Sequence, residues 1–130
     1  MSNGLNLVTY REHETMNIER LEAGARMSEA VCFNGVAYLS GQIPLDASKD
    51  IKGQTSEVLA EIDKVLNRLG TDKSRLLLAQ IFLKDLNEFK EMNEVWESWV
   101  VPGATPARAT IEANLADKDW KIEILVTAAL

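Results

Sequence analysis

The sequence has almost none of the residues that small metal-bound or disulfide-bonded domains depend on. It contains one cysteine, Cys32, and one histidine, His13. A lone cysteine cannot form an internal disulfide, which favours a reducing compartment, and the two residues together argue against a structural zinc site. We therefore expect a cytoplasmic protein without a metal centre.

Long apolar runs and clusters of positive charge are also lacking. No run is long enough to span a bilayer, and nothing resembles a secretory signal, so we expect no membrane association. Acidic residues outnumber basic ones by 20 to 14, which gives a net charge of −6. Because nucleic-acid surfaces usually need a basic patch, this balance lowers the expectation of a nucleic-acid partner.

What is present indicates one globular domain. The 130 residues are 46% hydrophobic, enough for a single core, and show no repeat or long linker. Residues 1–15 precede a second methionine and form an N-terminal extension to which the sequence assigns no structure. The remaining residues, 16–130, are predicted to be a single domain.

The pattern of apolar residues predicts the order β-β-β-α-β-α-β-β. The pair Asn34-Gly35 indicates a hairpin between the second and third strands. Helical spacing indicates a first helix that Thr55 or Ser56 caps, with Gly70 in the left-handed position after it. The run 74–86 is interpreted as a buried strand, although a helix remains an alternative.

A second helix is predicted after Asn87, which is the candidate cap. An aromatic stripe that includes Phe89, Trp96 and Trp99 is interpreted as core packing. Two helices of this kind on one face of a mixed sheet define an α+β fold. Cys32 lies in an apolar strand and is interpreted as a small core residue.

Two charges interrupt the last two predicted strands. Alternation places Arg108 on one side of its strand with Thr110, and Glu123 on the side of its own strand away from the isoleucines. We expect the apolar sides to pack on the helices, so that both charges share the polar face. If the two strands pair, Arg108 and Glu123 become diagonal neighbours at roughly 7–8 Å.

This arrangement has two interpretations. An exposed ion pair would contribute about 0–1 kcal/mol and mean little for function. Alternatively, Arg108 follows Pro106 at a strand entrance, where its guanidinium could point into a cleft and bind a small carboxylate with two hydrogen bonds. A nearby Glu123 would then hold a water as general base.

Four segments in order resemble the RidA family, also called the YjgF family, of enamine/imine deaminases. They are "YLSGQIP" (38–44), "IFLKDLNEFKEMN" (81–93), "PAR" (106–108) and "KIEI" (121–124). The resemblance covers residues 17–130, and the segments "ARMSEAV" and "WESWVVPGATPARATIEANL" are most similar to the YoaB-like branch. It implies a chorismate-mutase-like homotrimer with sites between subunits.

The resemblance also implies a reaction and a set of residues. Family members hydrolyse reactive 2-enamino or 2-imino acids to 2-oxo acids and ammonia without a cofactor. By position, Arg108 would hold the substrate carboxylate and Glu123 would orient the attacking water. The pocket would be lined by Ser40, Gly41, Thr110, Phe89 and Asn93.

Three positions depart from the family pattern. Met27 stands where the family often has a tyrosine, so the pocket wall at Met27 lacks that hydroxyl. Thr110 stands in place of a cysteine, and Leu125 replaces a second glutamate. Two other functions therefore remain open from the sequence: a non-catalytic trimer that binds small carboxylates, and an endoribonuclease or translation inhibitor, which the acidic balance disfavours.

Overall fold

The computed structural model describes residues 17–130, so the predicted extension, residues 1–15, lies outside the described part. Six strands and two α-helices follow one another in the predicted order. The strands are β1 (Glu19–Leu21), β2 (Ala30–Phe33), β3 (Val36–Leu39), β4 (Leu76–Leu83), β5 (Ala107–Glu112) and β6 (Ile122–Ala129), and the helices are α1 (Ile51–Arg68) and α2 (Phe89–Trp99). The segment that could have been a helix is therefore mostly strand β4.

All six strands form one mixed sheet in the order β1-β2-β3-β6-β4-β5. Only β4 and β5 run parallel, because α2 carries the chain back over the sheet between them. Asn34 and Gly35 adopt positive φ angles of 54° and 78° at the β2–β3 hairpin, as the sequence predicts. The predicted α+β fold, a mixed sheet with two helices, is confirmed.

The core lies between one face of the sheet and the two helices. Alternate residues of β4 and β6, including Ala79, Ile81, Ile124 and Val126, are 0–1% exposed and meet the apolar faces of α1 and α2. Cys32 is buried in this core, as predicted, and burial, with a smaller contribution from Glu19, raises the pKa of its thiol to about 11. We call the other sheet face the open face, because no helix of residues 17–130 covers it.

The predicted helix starts were wrong. Helix α1 begins at Ile51, where the side chain of Asp50 accepts a hydrogen bond from the Gly53 amide at 2.9 Å. Thr55 therefore lies inside the helix and is buried. Helix α2 follows a short 3₁₀ turn that Asp85 caps, and Asn87 donates its amide to Asp85 instead of capping. Gly70 has the predicted left-handed φ, 78°.

The predicted pairing of the last two strands was also wrong. Strand β4 lies between them, pairing in parallel with β5 and antiparallel with β6. Arg108 is in register with Ala79, and Glu123 is in register with Phe82. Within residues 17–130, neither helix is long and apolar enough to cross a membrane.

Candidate active site

Arg108 lies on the helix-covered side of the sheet. Its register partner Ala79 and the next strand's Val126 are both core residues, so the three side chains share the face that carries α2. The apolar side of β5, with Ala109 and Ile111, instead lies on the open face. The prediction that the apolar side of β5 packs on the helices was therefore wrong.

Helix α2 supplies everything that holds the Arg108 guanidinium. Nη1 donates to Oδ1 of Asn93 at 2.8 Å. The guanidinium carbon lies 5.7 Å from the ring centroid of Phe89 and 5.5 Å from that of Trp96. Both distances are within the range at which an aromatic face attracts a cation. This explains how a charged residue replaces an apolar one beneath a helix.

The charge of Arg108 is not neutralised by an ion pair within residues 17–130. The four ion pairs within 4.0 Å in that part of the chain all involve other residues. Partial burial lowers the pKa of Arg108, with a smaller opposite effect of the Glu97 charge, but an arginine keeps its proton at physiological pH. Several N–H donors of a guanidinium thus remain available for an anion.

Thr110 lies two residues along β5 on the same side as Arg108. Its Oγ1 is buried and has no hydrogen-bond partner within residues 17–130. A buried hydroxyl without a partner costs about 1–3 kcal/mol, so the Thr110 hydroxyl would gain a hydrogen bond from a ligand bound beside Arg108. Arg108 and Thr110 together form what we call the arginine half-site.

Glu123 projects from the opposite, open face of the sheet. Its carboxylate lies against Gly41: a Cβ built on that glycine would come within 2.0 Å of Oε2 and 2.9 Å of Cδ. Partial burial raises the pKa of the Glu123 carboxyl group. The turn therefore needs glycine at position 41 to admit the carboxylate, and Glu123 is a better base than an exposed glutamate.

The turn that follows β3 carries a network of three polar side chains. Gln42 pairs through its backbone with Ile124 and is only 6% exposed. Its Nε2 contacts Glu29 Oε2 at 3.2 Å, the Ser40 carbonyl oxygen at 3.0 Å and Ser40 Oγ at 3.3 Å. We call Ser40, Gly41 and Glu123, with this network, the glutamate half-site.

Two of the remaining pocket residues belong to the arginine half-site, and the third, Met27, is exposed. Phe89 and Asn93 belong to the arginine half-site, as described above. Met27 is 56% exposed and lies two residues before Glu29, in the segment that leads into β2. Seven of the eight predicted site residues thus form two groups and not one pocket within a single chain, whereas only its position in the sequence places Met27 near the glutamate half-site.

Three residues of this region were missed by sequence reasoning. Glu29 and Gln42 carry no motif of their own beyond the glutamine of "SGQIP", which was used only to recognise the turn. Trp96 was predicted as core, and it is buried, yet it also faces Arg108. The signal for Trp96 was its position one helical turn from Asn93 and two turns from Phe89, on the same face of the helix.

A separate cleft of about 610 Å³ lies near the start of β6. It is lined by four lysines, three acidic residues and two small residues: Ala47, Ser48, Lys49, Lys84, Asp85, Glu88, Lys118, Asp119 and Lys121. Three acidic groups offset its four lysines, so it is not a strongly cationic surface. Residues 17–130 contain no cluster of three or more side chains suited to a metal ion.

Comparison with known proteins identifies the class. A family described as endoribonuclease L-PSP matches residues 17–130. A RutC family protein of Haemophilus ducreyi is 49% identical over 87% of this chain and 97% of its own length. The crystal structure of a YjgF family member from Neisseria meningitidis is 44% identical, with a TM-score of 0.86, covering 88% of this chain and 96% of that one.

The chain therefore belongs to the YjgF family, also called the RutC or Rid family. More particularly, it is similar to the RutC family protein YoaB of Escherichia coli, with 43% identity over 88% of this chain and the whole of that protein. The family resemblance predicted from the four sequence segments is confirmed.

Proposed function

We propose that the protein hydrolyses reactive 2-enamino or 2-imino acids to 2-oxo acids and ammonia. We further propose that it does so in the cytoplasm as a homotrimer, without a cofactor. One observation carries the proposal: Arg108 and Glu123 lie on opposite faces of one sheet. The group around Arg108 could bind the substrate carboxylate, and the group around Glu123 could supply the base for the attacking water. An arginine half-site of one subunit would meet the glutamate half-site of the next.

The arginine half-site suits the substrate carboxylate. The guanidinium has no ion-pair partner within residues 17–130 and is held by Asn93 and two aromatic rings. A planar guanidinium fixed in this way binds a carboxylate with two parallel charge-assisted hydrogen bonds. The Thr110 hydroxyl, buried without a partner, would donate to the same ligand.

The glutamate half-site suits the attacking water. Glu123 would take one proton from the water as the oxygen bonds to C2 of the imine and the C=N π electrons move to nitrogen. Glu123 would return that proton to the nitrogen, giving a carbinolamine. As the carbinolamine collapses, its hydroxyl proton passes through Glu123 to the nitrogen, the C2=O bond forms and the C–N bond breaks, so that ammonia leaves and the 2-oxo acid remains. An enamine would first tautomerise to the imine. The raised pKa of Glu123 favours this role.

The open face supports assembly. It presents Tyr38, Leu78 and Ile111, which are 50%, 39% and 51% exposed, on the side that the helices leave uncovered. Large apolar side chains exposed on one uncovered sheet face are suited to an interface between subunits. In a closed ring of three copies, each interface would bring an edge strand β5 to a neighbour's β3–β6 region.

Mixed subunits provide the decisive experiment. Arg108→Ala and Glu123→Gln chains, each expected to be inactive alone, would be unfolded and refolded together. If the site is shared, about a quarter of the interfaces in a random mixture pair an intact Arg108 with an intact Glu123, so activity returns. If each site lies within one chain, the mixture recovers no activity. Absence of recovery, or a monomer found by light scattering, would overturn the shared site.

The reaction itself needs a coupled assay. A dehydratase acting on serine or threonine, and separately an amino-acid oxidase, would generate the imine, and release of 2-oxo acid would be followed with and without the protein. Acceleration supports the deaminase. Binding of 2-oxo acids without acceleration of any imine would instead support a carboxylate-sensing trimer, consistent with Met27 in place of a tyrosine. The net charge of −6 gives no support to the endoribonuclease named by the family description.

A further inference from the structure

The hydrogen bonds among Glu29, Ser40 and Gln42, next to Gly41, have no role in the proposed reaction so far. Gln42 is buried, and its side-chain nitrogen lies among three oxygen atoms that belong to Glu29 and Ser40. A buried polar network normally serves either to hold loops together or to orient a group. Which of the two applies here can be decided from the hydrogen-bonding capacity of each atom.

The orientation of the Gln42 amide is determined by its neighbours. The Ser40 carbonyl oxygen and the Glu29 carboxylate oxygen can only accept, so the atom that contacts them at 3.0 and 3.2 Å must be the NH₂ group. The same nitrogen also contacts Ser40 Oγ at 3.3 Å, and because an amide NH₂ has only two hydrogens, one of them is shared between two of these three oxygens. Towards Gln42, the Ser40 hydroxyl therefore acts as an acceptor.

An accepting hydroxyl has its own hydrogen left to donate elsewhere. Ser40 is only partly buried, and its backbone amide is already bonded to the Glu29 carbonyl oxygen at 2.9 Å. The next residue is Gly41, against which the Glu123 carboxylate lies. No hydrogen-bond acceptor for the Ser40 hydroxyl is found within residues 17–130, so its hydrogen is left for a group that enters the glutamate half-site beside Gly41.

We propose that Gln42 and Glu29 are positioning residues that make the Ser40 hydroxyl a hydrogen-bond donor to the bound ligand. Glu29 fixes the amide, the amide occupies a lone pair of Ser40 Oγ, and the hydroxyl donates to an oxygen of a 2-imino or 2-oxo acid or of its hydrate. The identity of that ligand rests on the proposed function, whereas the direction of the network does not.

A second buried glutamine provides the matched control. Gln54 is 0% exposed, and its Nε2 contacts three carbonyl oxygens, of Ala47, Lys49 and Asp119, at 3.1–3.2 Å. Its Oε1 accepts from the Lys121 amide. Every partner of Gln54 is a backbone group, so it joins loops and orients no hydroxyl. Gln54→Ala should lower the melting temperature without changing ligand affinity.

A double-mutant cycle tests the coupling by calorimetric binding of 2-oxobutanoate. Ser40→Ala should weaken binding about threefold to tenfold, the usual value of one hydrogen bond. Glu29→Ala should weaken it by a similar factor, and the double variant should be no weaker than either single one. Glu29→Gln should bind like the wild type, because the new amide oxygen still accepts from Gln42. Multiplied losses in the double variant would overturn the proposal.

An exchange of the two side chains gives the sharpest test. In the variant Glu29→Gln with Gln42→Glu, the pair keeps a mutual hydrogen bond, but position 42 can no longer donate to Ser40. The hydroxyl should then turn inward to the new carboxylate, and binding should fall as far as in Ser40→Ala. Wild-type affinity in the folded, exchanged variant would show a merely structural network and overturn the proposal.

The readouts keep the two proposals separate. If the wild type hydrolyses no imine but the binding cycle behaves as described, the deaminase fails and the positioning role stands. If imines are hydrolysed and Glu29→Ala changes neither binding nor kcat/KM, the positioning role fails and the deaminase stands. Should the exchanged variant not fold, the Ser40 and Glu29 cycle still decides. Absence of any 2-oxo acid binding by the wild type would overturn the role assigned to Ser40.

Discussion

The two charged strands, β5 and β6, use the same alternation of side chains in opposite ways. In β6 the apolar side, which includes Ile122 and Ile124, is 0% exposed against the helices, and Glu123 lies on the open face. In β5 the side that carries Arg108 packs beneath α2, and Ile111 on the other side is exposed. Each strand thus presents its charge to a different surface of the molecule.

Position in the sheet accounts for the difference. Strand β6 is central, between β3 and β4, so burying a charge on its helix side would leave it without water or a partner. Strand β5 is the edge strand, where the long stem of an arginine can pass under a helix while its head group stays near solvent. Aromatic rings of α2 replace the aliphatic contacts that β6 makes there.

The largest effect is expected from Glu123→Gln. The change keeps the shape of the side chain but removes the base, so imine hydrolysis should slow about 10²–10⁴-fold. Binding of a 2-oxo acid should be retained or tightened, because one anion is lost from the site. Stopped-flow deaminase assays and calorimetry on one preparation check this. Full activity would remove Glu123 from the reaction.

The pH dependence of kcat/KM provides a further test of the role of Glu123, and the direction of its shift can be predicted. Burial raises the pKa of Glu123, so its basic form disappears as the pH falls through that raised value. The acid limb of kcat/KM should therefore lie at higher pH than for an ordinary glutamate, and it should be absent from the residual activity of Glu123→Gln. An unchanged acid limb in that variant would assign the limb to another group.

Arg108→Ala should have the next largest effect. Loss of the charge-assisted pair should reduce kcat/KM for carboxylate-bearing imines by about a hundredfold or more, with the fold intact. Arg108→Lys is the control, because it keeps a charge but not the planar fork, and it should recover only part of the activity. A failure of Arg108→Ala to assemble would instead make Arg108 a structural residue.

Alternation predicted the two sides of β5 and of β6, but the side expected to face the helices was correct only for β6. The helix side of β6 is uniformly apolar, so its orientation followed from the sequence. For β5, Ala109 and Ile111 were the more apolar side, and the contacts of Arg108 with Asn93 and with the rings of the preceding helix account for the reversal. The insertion of β4 between them has no local signal, since strand order depends on the α2 crossover.

The candidate site was predictable only as a set of residues. The motifs around Ser40, Arg108 and Glu123 were recognised in order, but their separation onto two faces required the sheet topology. The capping residues failed for a simpler reason. Several residues near each helix start can cap, and Asp50 lies five residues before Thr55, the earlier of the two predicted caps.

Substitutions at two glycines distinguish an effect on the candidate site from an effect on the stability of the fold. Gly41→Ala would place a methyl group on the Glu123 carboxylate, which must move, so activity should fall about tenfold to a hundredfold with little change in stability. Gly35→Ala meets nothing within 4 Å but keeps a φ of 78°, so it should cost about 1 kcal/mol of stability and no activity. Thermal unfolding and turnover of both variants test this, and equal losses of activity would contradict it.

The smallest effect is expected from substitution of Asn93, the residue of α2 that accepts a hydrogen bond from Arg108. Its Oδ1 accepts from Nη1 of Arg108 at 2.8 Å, and the two rings remain in place when it is replaced. Asn93→Ala should therefore raise KM about threefold to tenfold, the value of one hydrogen bond, and leave kcat nearly unchanged. Asn93→Asp is the matched control: its carboxylate would pair with the guanidinium and compete with the substrate, so KM should rise further than in Asn93→Ala. If the aspartate variant binds 2-oxo acids better than the alanine variant, the guanidinium does not meet the ligand's carboxylate, and the arginine half-site loses its assigned role.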